Sequence, residues 1–304
     1  MRHITALAIY LVAVFGGAAL IAPITFGLLQ EAGAQWPLFE KFAQTPFHRV
    51  VNRCLLLFAL AGLFPLLRSL GIRNRVDLGL RREPELMKQL GGGLLLGFGL
   101  IATTAAISMA TGARHWNFHH SSAEVFKHLK NALVAGAFVA TIEEVLFRGG
   151  IFNAMRRGWH RMGALVVSSA IYALVHFFEK PQNPLFVQWD SGFYILAQMC
   201  RGFGDINALF PAFFTLSVLG MILALAYERS GSLYFSIGAH ASLVFFLKTF
   251  TFFTSGHPGQ FSDKIVDQWW AFGVMLAVCF YFLLRPRERQ MMEVPYVADR
   301  PCSS

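Results

Sequence analysis

The chain has 304 residues, of which 55% are hydrophobic and 14% charged, with 31 Phe and a mean hydropathy of +0.50; this excludes an ordinary soluble domain and reads as a polytopic membrane protein. A net charge of +9 does not indicate nucleic acid, because most basic residues fall in short loops between apolar runs, where they report topology. Cys54, Cys200, Cys279 and Cys302 stand singly, without CxxC spacing, and support neither a disulfide framework nor a cysteine metal site.

Apolar runs suited to about 30 Å of hydrocarbon lie at Thr5–Leu29, Val51–Leu70, Gly91–Met109, Ala132–Phe152, Gly163–Phe178, Ala208–Tyr227, Leu233–Phe253 and Gln268–Leu284. They predict an all-α bundle of about eight transmembrane helices. The first run follows Arg2 but is too long for a signal h-region and lacks a small-x-small exit, so an uncleaved anchor is expected. Loop Lys and Arg are richer on the side holding Arg2, Arg73–Lys88, Arg156–Arg161, Arg229 and the basic tail, which predicts cytoplasmic N- and C-termini. Arg73–Lys88 reads either as a surface-lying segment on anionic headgroups or as a solvated loop. Glu179–Asn207, with Phe186, Trp189, Phe193 and Tyr194, suits an interfacial or partly re-entrant segment, serving as a lid, as a substrate path or for packing alone. The tail Arg285–Ser304 is polar, as in disordered segments.

The fourth run contains Thr141-Ile142-Glu143-Glu144-Val145-Leu146-Phe147-Arg148, which sets two carboxylates and a guanidinium inside residues otherwise fit for lipid. Ionisable groups at that depth are expensive and mark function. On a helix, Glu144 and Arg148 are four apart in the favourable acid-first order, while Glu143 points about 100° away. Glu143 is thereby left for chemistry and Glu144 is paired.

Later runs add Tyr172 and His176, four apart on one face, then Ser236 and His240, likewise on one face, with Ser242 nearby. Two histidines and a carboxylate on different helices escape lipid only by converging inside the bundle. A glutamate can act as general base on water, and a histidine can orient that water or donate to an oxyanion. This is equipment for hydrolysis. One Glu and two His also match a hydrolytic zinc ligand set, though their separation in sequence is no zinc signature. The bland alternative is a buried polar cluster that pins helices together. His115, His119, His120 and His128 also cluster, in a spacing that fits no metal pattern, and Glu179 follows His176 closely enough to join the site. Arg68 and Lys248 lie near run ends and are expected to snorkel.

EEVLFR, the Tyr172–His176 element, and Leu219–Ser232 followed by His240 resemble the CAAX protease and bacteriocin-processing (CPBP, or Abi) family of intramembrane proteases, whose pattern is EExxxR, FxxxH and HxxxN. The resemblance covers about Ala132 to Phe246. It implies a CPBP-like catalytic core at 131–284, preceded by N-terminal transmembrane helices at 1–130 and followed by a polar tail at 285–304. It also implies that Glu143 activates water with His176, that Glu144 and Arg148 brace the site, and that His240 serves the oxyanion or a metal. Members have been described both as metalloproteases and as metal-independent glutamate proteases, so the cofactor, if any, is open between a divalent ion such as zinc and none. Implied substrates are membrane-anchored or lipid-modified polypeptides at the bilayer, with no nucleic acid. Tyr172 stands at the family's Phe and adds a hydroxyl in reach of the site. Val244 stands at the family's Asn, with Ser236 the better placed of two substitute donors. The alternative to an endopeptidase is an inactive member serving as membrane scaffold or immunity factor. With these span limits Glu143 lies near mid-membrane, His176 toward the outer end and His240 nearer the cytoplasmic end, an offset that helix tilt would have to close.

Overall fold

Helix α1 (Arg2–Gln35) and helix α3 (Phe47–Ser69) form a long antiparallel hairpin, with the short α2 (Pro37–Ala43) between them. Contacts along the hairpin set its register: Phe26 against Phe47, Gly17 against Phe58, and the Tyr10 hydroxyl donating to the Ala59 carbonyl. At 1.5 Å per residue, α1 is about 51 Å long, well beyond about 30 Å of hydrocarbon. Its last turns and α2 therefore project past the paired length and leave Trp36, Leu38 and Phe42 exposed.

The computed structural model describes residues 2–80, 85–204, 206–256 and 261–284. The tail Arg285–Ser304 and, within the basic segment, Arg81 and Arg82 lie outside the described residues. Helices α4 (Leu86–Ala110), α5 (Ser122–Glu144), α7 (Arg161–Val175), α9 (Ile206–Ser230), α10 (Leu233–Phe253) and α11 (Phe261–Leu284) complete the bundle. A two-stranded antiparallel ladder, β1 (Arg114–Trp116) with β2 (Thr254–Gly256), ties the end of α4 to the end of α10. Helix α5 starts at a capping box in which Ser121 and Glu124 satisfy each other's backbone amides. At Glu144 its hydrogen bonding widens into a π-helical stretch, Val145–Phe152, before α6 (Asn153–Gly158).

Among the described residues, five helices are long and apolar enough to cross a membrane: α1, α3, α4, α9 and α10. Three expected spans take other forms. The α5 segment carries its charges and changes helix type midway. Helix α7 is an apolar helix of only 15 residues, about 22 Å, and the described apolar part of α11 is likewise short. Glu179–Asn207 folds back as α8 (Ser191–Met199), with Gly192 against the Ala19 carbonyl of α1. Leu185, Phe186 and Trp189 stay exposed.

The three groups expected at different depths come level with one another. Helix α7 ends at Val175, with His176 as its C-terminal cap. The Leu233 side chain at the start of α10 reaches within 4.0 Å of the Cβ position of Gly149. Gly149 is six residues past Glu143 and His240 seven past Leu233, so both acidic and imidazole groups stand about 10 Å along their helices from that shared level.

Helix α4 crosses α10 with backbones in contact. A Cβ on Gly93 or Gly97 would collide with the Phe235 or Ala239 carbonyl, and one on Gly238 with the Leu90 carbonyl. Gly99, on the same helix, has open space. Gly97→Val should therefore lower the thermal midpoint in detergent, because overpacking against backbone costs about 1–3 kcal/mol or more. Gly99→Ala should leave it unchanged or raise it, since Ala is favoured over Gly in a helix by about 1 kcal/mol. Equal effects of the two would contradict the crossing.

Candidate active site

Arg148 is 2% exposed and Glu144 fully buried, so their charges must be matched inside the bundle. One guanidinium nitrogen of Arg148 donates to Glu144 Oε1 at 2.9 Å and another to the Gly220 carbonyl of α9 at 3.2 Å. Its face lies 4.6 Å from the Tyr172 ring centroid of α7, a cation–π contact. Glu144 Oε1 also accepts from His240 Nδ1 of α10 at 2.9 Å.

Glu143, the adjacent acid, faces the other way. Its Oε2 lies 3.7 Å from His176 Nε2 and 3.8 Å from His240 Nε2. The sequence-predicted trio Glu143, His176 and His240 thus comes together, with Glu144, Arg148, Tyr172 and Ser236 around it.

Hydrogen bonding fixes both rings. His176 Nδ1 lies 2.7 Å from the Tyr172 carbonyl; a carbonyl only accepts, so Nδ1 carries the proton. His240 Nδ1 faces the Arg148-paired carboxylate and is protonated for the same reason. In the neutral rings both Nε2 atoms then present lone pairs to Glu143, whose Oε2 is buried with no hydrogen-bond partner among the described residues. Three acceptors facing one point require something that donates: a water, a shared proton or a cation. Second-shell anchoring of Nδ1 to a carboxylate or carbonyl is also how metal-binding histidines are oriented.

The site opens on one side. The side chains of Glu143 and His176 are 25% and 29% exposed, against 5% for His240 and 0% for Glu144. Helix α5, which carries Glu143, packs along α10, and α7, which leads to His176, packs along α9.

Several other residues take places that sequence spacing left open. The Tyr172 ring, 2% exposed, packs edge-on to Phe147 and tilted over His176; its contribution to the site is a platform and a carbonyl. Ser236 is fully buried on the Glu144 side and its hydroxyl donates to the Leu233 carbonyl. Ser242 donates to the Leu94 carbonyl of α4, away from His240. Val244 is half-buried one turn beyond His240. The Glu179 side chain lies beside Gly202. His120 and His128 stack on Phe252 at 3.9 and 4.0 Å, and His120 lies 2.9 Å from the Phe252 carbonyl, so these two serve packing. The π-helical turn and the Gly220 carbonyl were not foreseen; the Gly149-Gly150 pair was the available sign of an irregular, closely packed backbone.

Residues 126–246 match the family model described as "Type II CAAX prenyl endopeptidase Rce1-like". No curated protein and no solved structure matches the chain.

The two adjacent acids should differ sharply in their effect on stability. Arg148→Ala or Glu144→Ala strands a buried charge and should cost about 3–5 kcal/mol, seen as a large drop in thermal midpoint or loss of accumulation. Glu143→Gln, at the open side, should shift the midpoint little. A Glu143→Gln protein as unstable as Glu144→Ala would contradict this division.

Proposed function

Because residues 126–246 match the family model of Rce1-like type II CAAX prenyl endopeptidases, we propose that the chain is an intramembrane endopeptidase acting on membrane-anchored or lipid-modified polypeptides. The observation that carries this reading is the meeting of Glu143 Oε2 with two Nε2 atoms at 3.7 and 3.8 Å on the open side of the bundle. Prenylated polypeptides are the substrates that the family description suggests.

In this reading a water lies among Glu143, His176 and the substrate carbonyl. Glu143 takes a proton from it as the water oxygen attacks the carbonyl carbon. His176, held through Nδ1 by the Tyr172 carbonyl, orients the water through its Nε2 lone pair. His240, backed by Glu144, carries protons on both nitrogens and donates from Nε2 to the oxyanion. The proton on Glu143 then passes to the amide nitrogen as the C–N bond breaks. A carboxylic acid and an amine leave, and both charges of the Glu144–Arg148 pair persist throughout.

The donor set is also chemically suited to a divalent cation such as zinc, which Glu143, His176 and His240 would hold. Their 3.7 and 3.8 Å separations are wider than the roughly 3.4 Å of tetrahedral donors about 2.1 Å from an ion, in keeping with the lack of a closed metal cage among the described residues. A bound ion would supply Lewis acidity and a more acidic water.

Membrane integration follows from the apolar helices, and the loop arginines favour cytoplasmic termini. A second reading rests on Val244: without the family's Asn, the chain serves as a non-catalytic membrane scaffold or immunity factor.

In proteoliposomes with a farnesylated peptide ending in a CaaX sequence, Glu143→Gln and His176→Gln should each lower cleavage by about 10²–10⁴-fold while the protein still accumulates. Unchanged cleavage in either variant would overturn the mechanism, and absence of cleavage by the unaltered protein, with Glu143→Gln tolerated in cells, would favour the scaffold. Val244→Asn should raise turnover, by up to about 10²-fold if the amide reaches the oxyanion. A rate at or below that of the unaltered protein would show that this turn of α10 does not serve the reacting carbonyl.

A further inference from the structure

The turn joining α3 to α4 lies outside the matched segment, yet it touches two of the helices that build the site. Its fold is locally determined. Asn74 Oδ1 accepts from the Val76 and Asp77 amides, and Asp77 Oδ2 accepts from the Arg73 and Asn74 amides. These reciprocal caps present Leu78 and Gly79 upward as a small rigid wedge.

Leu78 meets the π-helical turn. Its Cδ2 lies 2.8 Å from where a Cβ on Gly149 would stand, so a methyl there would displace the Leu78 side chain. Gly79 meets the start of α10. Its φ of +76° is open to glycine, a Cβ there would fall 2.5 Å from the Gly231 carbonyl oxygen, and its own carbonyl accepts from the Leu233 amide at 3.3 Å. The wedge thus fixes Gly149 and Leu233 at one level. Glu143 and His240 each lie about two turns along from that level.

We propose that Leu78 and Gly79 are positioning residues for the site: by seating the π-helical turn against the start of α10, they set the distance between Glu143 and His240. The physical stake is the tolerance of the chemistry. Misplacing reacting groups by about 1 Å can cost about 10²-fold in rate, and productive geometry must be held within about 0.5 Å. The wedge acts on helix position, not on substrate, so it should govern kcat and leave KM alone.

The kinetic arm of the test rests on the endopeptidase reading; a spectroscopic arm does not. Leu78→Ala, Gly149→Ala and the double variant are assayed in proteoliposomes on the farnesylated CaaX-ended peptide. In parallel, ¹⁵N-histidine-labelled protein reports the hydrogen bonding of the His240 ring nitrogens, assigned through loss of its signal in His240→Gln. Each single variant should lower kcat about 10- to 100-fold with KM within about twofold, and should turn the single set of His240 ring signals into a mixture. The double variant, in which the new methyl fills the space Leu78 leaves, should recover most of kcat and the single signal. Wild-type kcat and an unchanged His240 signal in Leu78→Ala would overturn the proposal, as would losses that simply add in the double variant. Should the unaltered protein leave the peptide uncut, the endopeptidase reading fails and the His240 signal alone decides the wedge. Should Leu78→Ala not accumulate, Leu78→Val carries both readouts.

Discussion

A single guanidinium, that of Arg148, holds together the half of the bundle that carries the candidate site. A buried charge is tolerated only when its partners are in place, and removing any of them leaves an uncompensated group in a medium that penalises it heavily. The partners of Arg148 come from separate elements: Glu144 from the end of α5, the Gly220 carbonyl from α9, and the ring face of Tyr172 from α7. Through Glu144 the chain of contacts passes to His240 on α10. Four helices are therefore registered against one point. Apolar side chains alone would give lipid-embedded helices little preference for one axial setting over another.

This arrangement also separates two neighbouring acids into different roles. Glu144 spends its charge on Arg148 and one oxygen on His240, so it is part of the frame. Glu143, rotated to the open side by the helix, has no guanidinium and faces two imidazole nitrogens. The π-helical stretch begins at Val145. Within it the Gly149-Gly150 backbone comes close enough for Leu78 and Leu63 to pack on it. Local irregularity of this kind is found at functional sites because regular geometry cannot meet two packing demands within one turn.

Much of this was legible in the sequence wherever the physical cost was local. The pairing of Glu144 with Arg148 follows from four-residue spacing, and the convergence of Glu143, His176 and His240 follows from the price of placing them in lipid. The all-α fold follows from composition. What was not legible depends on contacts distant in the chain. Taking α7 as a full span put His176 at the outer edge, because nothing in Gly163–Phe178 announces that the helix stops at Val175. The α9–α10 turn packs on Gly79, some 150 residues earlier, and positive-φ glycines at 79 and 231 look in sequence like any loop glycine. Tyr172 invited attention to its hydroxyl, yet its carbonyl and ring face are what the neighbours use. Ser242 seemed available until the packing of α4 gave it the Leu94 carbonyl.

The two histidines of the site differ in what stands behind them, and under the proposed mechanism that difference assigns their roles. Both commit Nδ1–H, but His176 commits it to a neutral backbone carbonyl and His240 to a carboxylate. A carboxylate at Nδ1 stabilises the imidazolium that forms when Nε2 gains a proton, whereas a carbonyl fixes orientation with much less effect on charge. His240 is accordingly the ring suited to donate to an oxyanion, and His176 the ring suited to keep an Nε2 lone pair for water. Exposure agrees with this order: His240 lies deep, where a fixed charge is least screened, and His176 lies at the open side, where water arrives. Arg148 balances Glu144 already, so under the proposed mechanism the Nε2 proton of His240 is the donor that meets the oxyanion. Where the family's Asn would add a neutral donor beside the oxyanion, the chain has Val244, and the burden of stabilising developing charge falls on that proton.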